Sequence, residues 1–389
     1  MEELRGSILI LQIGKPTAVT NVILAALIKR ALNFDCIEEI YGCVGGISKL
    51  LNEQFIDLAG QQQKNIANLI GTPGAALKSI HCDSTEAVKI IEVFQKNNIR
   101  YLFAIGDESS IGICKEISRF VQESRYEMRV MFIPTSDHNR LQLTDHCLGY
   151  GSMAKHLAVM TKSVITSVQS TQTNGAITIL ELKGCDDEWL VSSLALARLR
   201  KDSADAPHLL ILSNFDEGTF VKNVHQTIRN VGNCVIVLGD KLMHSKKENP
   251  AAQYGVAEYI KFISKANFDV QIDLISLHDW ELTACMTLSE VDVIESELCV
   301  QKALDLSITG GISGKMITLL RTDGNKYSAE ANCVDFENIS DKKKEFPESW
   351  YIYESMALDV SFFKYAMPLI AGEVKCAYEN GLPSFARLK

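Results

Sequence analysis

Ser7-Ile8-Leu9-Ile10-Leu11-Gln12-Ile13, then Gly14-Lys15-Pro16, then a run of helical period over residues 17–32, read as one strand, one tight turn and one helix. The strand is almost continuously apolar, the pattern of a strand covered on both faces. In the helical run Val19, Ile23, Ala26, Leu27 and Arg30 fall on neighbouring faces. Outward from this unit the scheme repeats. A helix is expected from Asp83, whose carboxylate can cap it while Glu86 sits three residues on, with Val88, Ile91 and Phe94 at helical spacing. A strand over 100–105 leads to Gly106-Asp107-Glu108-Ser109-Ser110, a helix to about residue 123, a strand over 128–133 and a polar loop over 134–145. Beyond Gly151 the pattern predicts a helix to 161, a strand 176–182, a helix 187–199, a strand 208–212, a helix 217–230 ended by Gly232, and a strand 234–238. A helix from Ser289, with Asp292 three residues on, and a strand 316–320 complete the reading. The charged stretch 340–345 reads as a solvated turn. Strands alternating with crossover helices make an α/β fold with mostly parallel, doubly wound sheets.

A chain of 389 residues exceeds one ordinary core and is expected to form two domains. With 47% hydrophobic and 22% charged residues and only 8 Pro, disorder and fibrous repeats are excluded. The 39 Lys and Arg against 48 Asp and Glu give −9, so no broad positive field attracts a phosphate backbone or an anionic bilayer. Neither nucleic acid nor membrane is an expected partner. No apolar run approaches the roughly 18 to 20 residues that span a bilayer. The acidic start Met1-Glu2-Glu3-Leu4-Arg5 is unlike a basic leader, and a cytoplasmic location is expected. Eleven cysteines, scattered from Cys36 to Cys376 without a C-x-x-C pair, are expected to be small buried hydrophobes. The eight histidines show no H-E-x-x-H and no paired spacing with cysteines, so no metal site is assigned on spacing.

Open doubly wound sheets bind ligands beyond the carboxyl ends of their strands, so the loops after Ile13, Ile105, Ile133, Leu182 and Leu212 are the places for chemistry. Gly14-Lys15-Pro16 opens a helix and offers free amides to phosphate, but Lys15 adds bulk and Pro16 lacks an N–H, which favours an ordinary turn. Asp107-Glu108 reads equally as magnesium ligands or as a helix cap. Pro134-Thr135-Ser136-Asp137-His138-Asn139-Arg140 mixes a base, a carboxylate and a cation. Lys183-Gly184-Cys185-Asp186-Asp187-Glu188 is acidic and reads as a helix cap, and Ser213-Asn214 as a plain turn.

At these loops the sequence resembles a phosphofructokinase of the bacterial-type, pyrophosphate-dependent branch. The similarity runs almost end to end and includes Gly149-Tyr150-Gly151-Ser152, Ser289-Glu290-Val291-Asp292, Tyr365-Ala366-Met367-Pro368-Leu369-Ile370-Ala371-Gly372-Glu373 and Gly381-Leu382-Pro383. The resemblance implies two Rossmann-like three-layer α/β/α domains: residues 1–150 on the phosphate-donor side and 151–389 on the sugar-phosphate side. The last segments, from about residue 290, are expected to pack back across the domain interface. It also implies transfer of a phosphoryl group between ATP or pyrophosphate and the 1-hydroxyl of fructose 6-phosphate, with Mg²⁺.

Position by position, this chain departs from that pattern. The family's glycine-glycine phosphate loop reads Gly14-Lys15, and its Gly-Gly-Asn-Asp-Ser loop reads Ile105-Gly106-Asp107-Glu108-Ser109, with Glu108 in place of an aspartate. In the catalytic segment Thr135 replaces a lysine that faces pyrophosphate, His138 replaces the aspartate base, and Arg140 replaces a second aspartate. Ser136 stays on the sugar-phosphate side. There Met-Gly-Arg becomes Lys183-Gly184-Cys185, the Pro-Glu that holds the sugar becomes Ser213-Asn214, Gln-Arg becomes Glu281-Leu282, and a further arginine falls at His81. Asp137, one position before the base, is the one residue a slipped loop would present instead.

The leading expectation is therefore a noncatalytic phosphofructokinase paralog, a structural or regulatory subunit assembled with itself or with a catalytically intact relative, and needing no cofactor. An active phosphotransferase using His138 or Asp137, with Mg²⁺ held at Glu108, is the first alternative. A sensor of phosphate metabolites is the second.

Overall fold

The computed structural model describes residues 4–79, 87–171, 175–198, 205–242, 255–278, 280–322, 324, 326–340 and 342–389. Strands run in chain order as β1 (Gly6–Ile13), β2 (Ile37–Cys43), β3 (Phe55–Asp57), β4 (Ile99–Gly106), β5 (Arg129–Ser136), β6 (Leu148–Gly149), β7 (Ile177–Leu182), β8 (Leu209–Ile211), β9 (Cys234–Gly239), β10 (Ile272–Leu277), β11 (Lys315–Arg321) and β12 (Ala329–Asp335). They form two mostly parallel sheets, each in its own compact unit: Met1–Ser152 with Leu282–Lys344 and Ala371–Lys389, and Met153–Glu281 with Glu345–Ile370.

In the first unit the sheet order is β12-β11-β5-β4-β1-β2-β3, with β6 beside β5. The pairs β1–β4, β4–β5 and β5–β11 are parallel; β2–β3 and β11–β12 are antiparallel. All eight residues of β1 are buried, because helices cover both faces of a central parallel strand. Leu9, Leu102, Val130 and Phe132 meet Phe94, Ile117 and Val121 in one core. Each such side chain contributes roughly 1.5 to 3 kcal/mol by leaving water. The buried amide of Gln12 in β1 is satisfied by Asn21 Oδ1 at 3.1 Å and by the Leu77 N–H at 2.8 Å.

The second sheet has the order β10-β7-β9-β8, all parallel. Trp189 stands edge-on to Phe346 and to Trp350, at centroid distances of 5.2 and 5.9 Å. The Leu210 N–H donates to Met356 O at 2.8 Å and the Tyr351 hydroxyl to Leu210 O at 2.7 Å. These contacts bind residues 345–370 to the second sheet, whereas β11 pairs with β5 and so draws residues 282–344 into the first. The two units are therefore not consecutive stretches of chain: residues 282–344 and 371–389 group with the first.

Most expected elements are present with shifted ends. Residues 134–136 continue β5 instead of opening the loop, and the helix Tyr150–Gln169 runs past residue 161. The helix expected at 187–199 is Glu188–Ser193, capped by Asp187 and followed by a 3₁₀ turn over Leu194–Ala197. Asp83 and Glu86 lie outside the described residues, and the helix is described as Ala87–Lys96. Eight of the described cysteines are buried, as expected of small hydrophobes, and burial pushes the Cys43 and Cys114 thiols up to about 12.

Candidate functional site

Strand register sets three loops side by side at one end of the first sheet: Ile13 is opposite Gly106, and Gly106 is opposite Pro134. Gly14 sits at φ +75°, and a Cβ there would run into the Asp107 carboxylate and the Ser110 hydroxyl. The fit is that close because Asp107 turns back into the first loop. Its Oδ2 accepts the Lys15 N–H at 2.8 Å, while Oδ1 accepts the Ser109 N–H at 3.1 Å, the Ser109 hydroxyl at 2.6 Å and the Ser110 hydroxyl at 3.1 Å. The loop amide that an incoming phosphate would use is thus committed to an internal carboxylate. The Lys15 side chain is exposed and Glu108 is half-buried.

Magnesium needs oxygen ligands in near-octahedral geometry, with carboxylates available to it. The Asp107 oxygens already accept four donors, and among the described residues no group of three His, Cys, Asp or Glu side chains is arranged to hold a metal ion. The residues present do not fit such an ion, so no step is routed through one.

In the third loop Thr135, Ser136 and Asp137 are buried, and Thr135 Oγ1 has no hydrogen-bond partner among the described residues. His138 is half-buried, and its N–H donates to Ser136 Oγ at 3.3 Å. Asn139 is fully buried in the left-handed region at φ +53°; its Oδ1 accepts the Cys147 N–H at 3.0 Å and the Lys344 ammonium at 3.1 Å. Lys344 also donates Nζ to Asp145 O at 2.7 Å and its N–H to Arg140 O at 2.6 Å. Burial holds its amine below the ordinary lysine range. The expected solvated turn at 340–345 is therefore corrected at Lys344, which works as a clamp on the loop while Lys342 and Lys343 remain exposed. Lys344→Met should lower stability by about 1 to 3 kcal/mol and speed amide exchange over residues 139–145, because buried acceptors lose their donor. Denaturant titration with hydrogen exchange checks this; unchanged exchange in that stretch refutes the clamp.

Just beyond the loop, buried His146 bridges two carboxylates: Nδ1 lies 2.9 Å from Asp145 Oδ2 and Nε2 2.7 Å from Glu295 Oε2. Arg321 Nε donates to Asp145 at 3.2 Å, and the Tyr327 hydroxyl donates to Glu295. Burial alone would lower the imidazole pKa, but the bonds to the two carboxylates outweigh it and raise it to about 9. Burial likewise opposes ionisation of Asp145, yet its bonds to His146 and Arg321 hold its carboxyl below the usual range.

In the second unit Gly184 takes φ +77°, and the Cys185 thiol is buried with Sγ 3.6 Å from Asp187 O. Asp187 Oδ1 accepts the Trp189 N–H at 2.8 Å, the cap expected of this acidic loop. Lys183 pairs with Glu181 at 3.1 Å and Asp240 at 3.7 Å. Asn214 is exposed and donates to the Tyr353 hydroxyl at 3.1 Å. Leu282 belongs to the first unit and is 69% exposed. His81 lies outside the described residues.

A family model for phosphofructokinase matches residues 7–279. The chain belongs to the phosphofructokinase family. It is 27% identical over 399 residues to a pyrophosphate–fructose 6-phosphate 1-phosphotransferase of Halomonas elongata, covering 97% of this chain and 94% of that one. A second such phosphotransferase, from Methylococcus capsulatus, is 25% identical over 397 residues, with 97% and 94% covered. Among solved structures, a pyrophosphate-dependent phosphofructokinase of Marinobacter aquaeolei aligns over 99% of this chain and 96% of its own, with a TM-score of 0.87 and 26% identity. As a phosphofructokinase-family chain, it keeps its scaffold positions in buried roles: Asp292 accepts the Gly149 and Ser152 N–H groups, both at 2.9 Å, and Ser289 Oγ accepts the Asp292 N–H at the start of its helix.

Sequence reasoning did not find Lys344, His146, Glu295, Arg321 or Tyr327. Apart from the neighbours Asp145-His146 and the pair Tyr327–Glu295, 32 residues apart, their partners lie 149 to 205 residues away in the chain. The adjacency of an acid and a histidine in an otherwise polar loop was the only local signal.

Proposed function

We propose that this chain is a noncatalytic member of the phosphofructokinase family, retained as a structural or regulatory subunit. The observation that carries the reading is the Asp107 carboxylate seated on the Lys15 amide and the Ser109 and Ser110 hydroxyls, where a transferring phosphate would need donors. Phosphoryl transfer rests on positioning and charge stabilisation. Three substitutions in the third loop add to this: Thr135, His138 and Arg140 stand where the family pattern carries a lysine and two aspartates. Its partner would be a second copy or a motif-intact relative.

The second reading is an active pyrophosphate- or ATP-dependent phosphotransferase acting on fructose 6-phosphate. Near end-to-end similarity to proteins named for that activity supports it. The two readings part in an assay with fructose 6-phosphate, Mg²⁺ and either pyrophosphate or ATP. No turnover above background is expected; robust turnover abolished by His138→Ala or Asp137→Ala would overturn the noncatalytic reading.

A further inference from the structure

The second unit carries a pocket of about 310 Å³ whose lining includes Asn214, Phe215, Asp216, Tyr351, Tyr353 and Glu354. Among the described residues its wall has two carboxylates, three aromatic rings and no lysine, arginine or histidine. Tyr351 and Tyr353 meet almost at right angles, 89° with centroids 4.9 Å apart, so they present two crossed ring surfaces. The Tyr351 hydroxyl is tied to Leu210 O at 2.7 Å and the Tyr353 hydroxyl receives Asn214 Nδ2 at 3.1 Å, which anchors both rings at their hydroxyls. Phe215 is braced by Phe220 and Tyr259 at centroid distances of 5.6 and 6.2 Å.

We propose that this pocket binds a small organic cation, a quaternary or primary ammonium compound, held against the rings of Tyr351 and Tyr353 and balanced by Asp216 and Glu354. A cation over an aromatic face is drawn to the negative side of the ring quadrupole, and rigid crossed rings with nearby carboxylates recognise ammonium groups in this way. An anion has no comparable footing. The N-terminus of the helix Glu217–Val231 opens here and would favour negative charge, but Asp216 Oδ2 already accepts the Thr219 N–H at 2.8 Å and fills that role. A sugar phosphate brought to this wall would face two like charges and no cation. Asn214 stands where the resemblance places a sugar-holding glutamate, and here it donates to the Tyr353 hydroxyl. The proposal concerns equilibrium binding alone and stands whether or not the chain catalyses any reaction.

Titration of the full chain with choline, followed by calorimetry or ligand-observed NMR, tests it against the uncharged isostere 3,3-dimethyl-1-butanol. Choline is expected to bind more tightly than the isostere, and added salt to weaken it. Tyr353→Ala and Glu354→Gln, both at exposed positions, should each weaken choline binding about three- to thirtyfold, whereas Tyr353→Phe should retain it. Equal binding of choline and its isostere, choline affinity unchanged in both weakening variants, or fructose 6-phosphate displacing choline would each overturn the assignment.

Discussion

Glu295→Leu should destabilise the first unit by about 3 to 5 kcal/mol near neutral pH, the cost of removing one partner from a buried ion pair. In the intact protein the His146 imidazolium lies between Asp145 at 2.9 Å and Glu295 at 2.7 Å, and Tyr327 donates to the same glutamate. Removing Glu295 leaves a buried cation with one carboxylate that Arg321 already shares, and it orphans the Tyr327 hydroxyl. The alkaline side offers an independent check. The folded-state pKa of His146 is raised from 6.5 to about 9, so the unfolded chain loses this proton first as pH rises. The stabilisation is therefore fully present below 6.5 and disappears as pH climbs through about 9. His146→Gln removes the titration, so the stability gap between wild type and His146→Gln should narrow across that window, as read by chemical denaturation at stepped pH. A gap that stays constant, or widens, would show that the imidazole is neutral in the fold.

How much of this was legible in the chain depended on where each residue's partners lie. β1, β4 and β5 are buried on both faces and announce themselves as apolar runs. β2 carries exposed Glu38 and Glu39, and β12 alternates through Glu330 and Asn332 near a sheet edge, so neither gives that signal. The cap and ligand readings of Asp107-Glu108 could not be separated by composition. Three-dimensional register places Ile13 against Gly106, and the Asp107 carboxylate reaches back to the Lys15 amide while accepting the Ser109 N–H as a cap does. Lys344 was misread for the opposite reason: a lysine within a charged run looks solvated until a distant loop is seen to need a donor. The Cys185 thiol, by contrast, is buried as expected of a small hydrophobe, and Asp187 caps the following helix as its acidic loop suggests.

Measured beside the Halomonas elongata relative under identical conditions, this chain should turn over fructose 6-phosphate with pyrophosphate at least about 10⁴-fold more slowly. A positioned base is worth roughly 10²- to 10⁴-fold, and each charge-assisted contact to phosphate about 1.5 to 3 kcal/mol. The resemblance places Thr135 and Cys185 where the family carries a cation and Arg140 where it carries an aspartate, so on that reading even heavily overlapping losses exceed roughly 6 kcal/mol. These losses act on one transition state and cannot be repaired singly. His138→Asp alone restores a carboxylate beside an unchanged Arg140, and Arg140→Asp alone adds an acid without restoring the base or the lysine. Each single reversion should stay within about threefold of wild type, while Thr135→Lys, His138→Asp and Arg140→Asp combined should gain more than the product of the three. Had His138→Asp by itself restored a rate near that of the relative, the Asp107 carboxylate on the Lys15 amide could not be the obstacle it is taken to be, and the loop would have to be one substitution away from an enzyme.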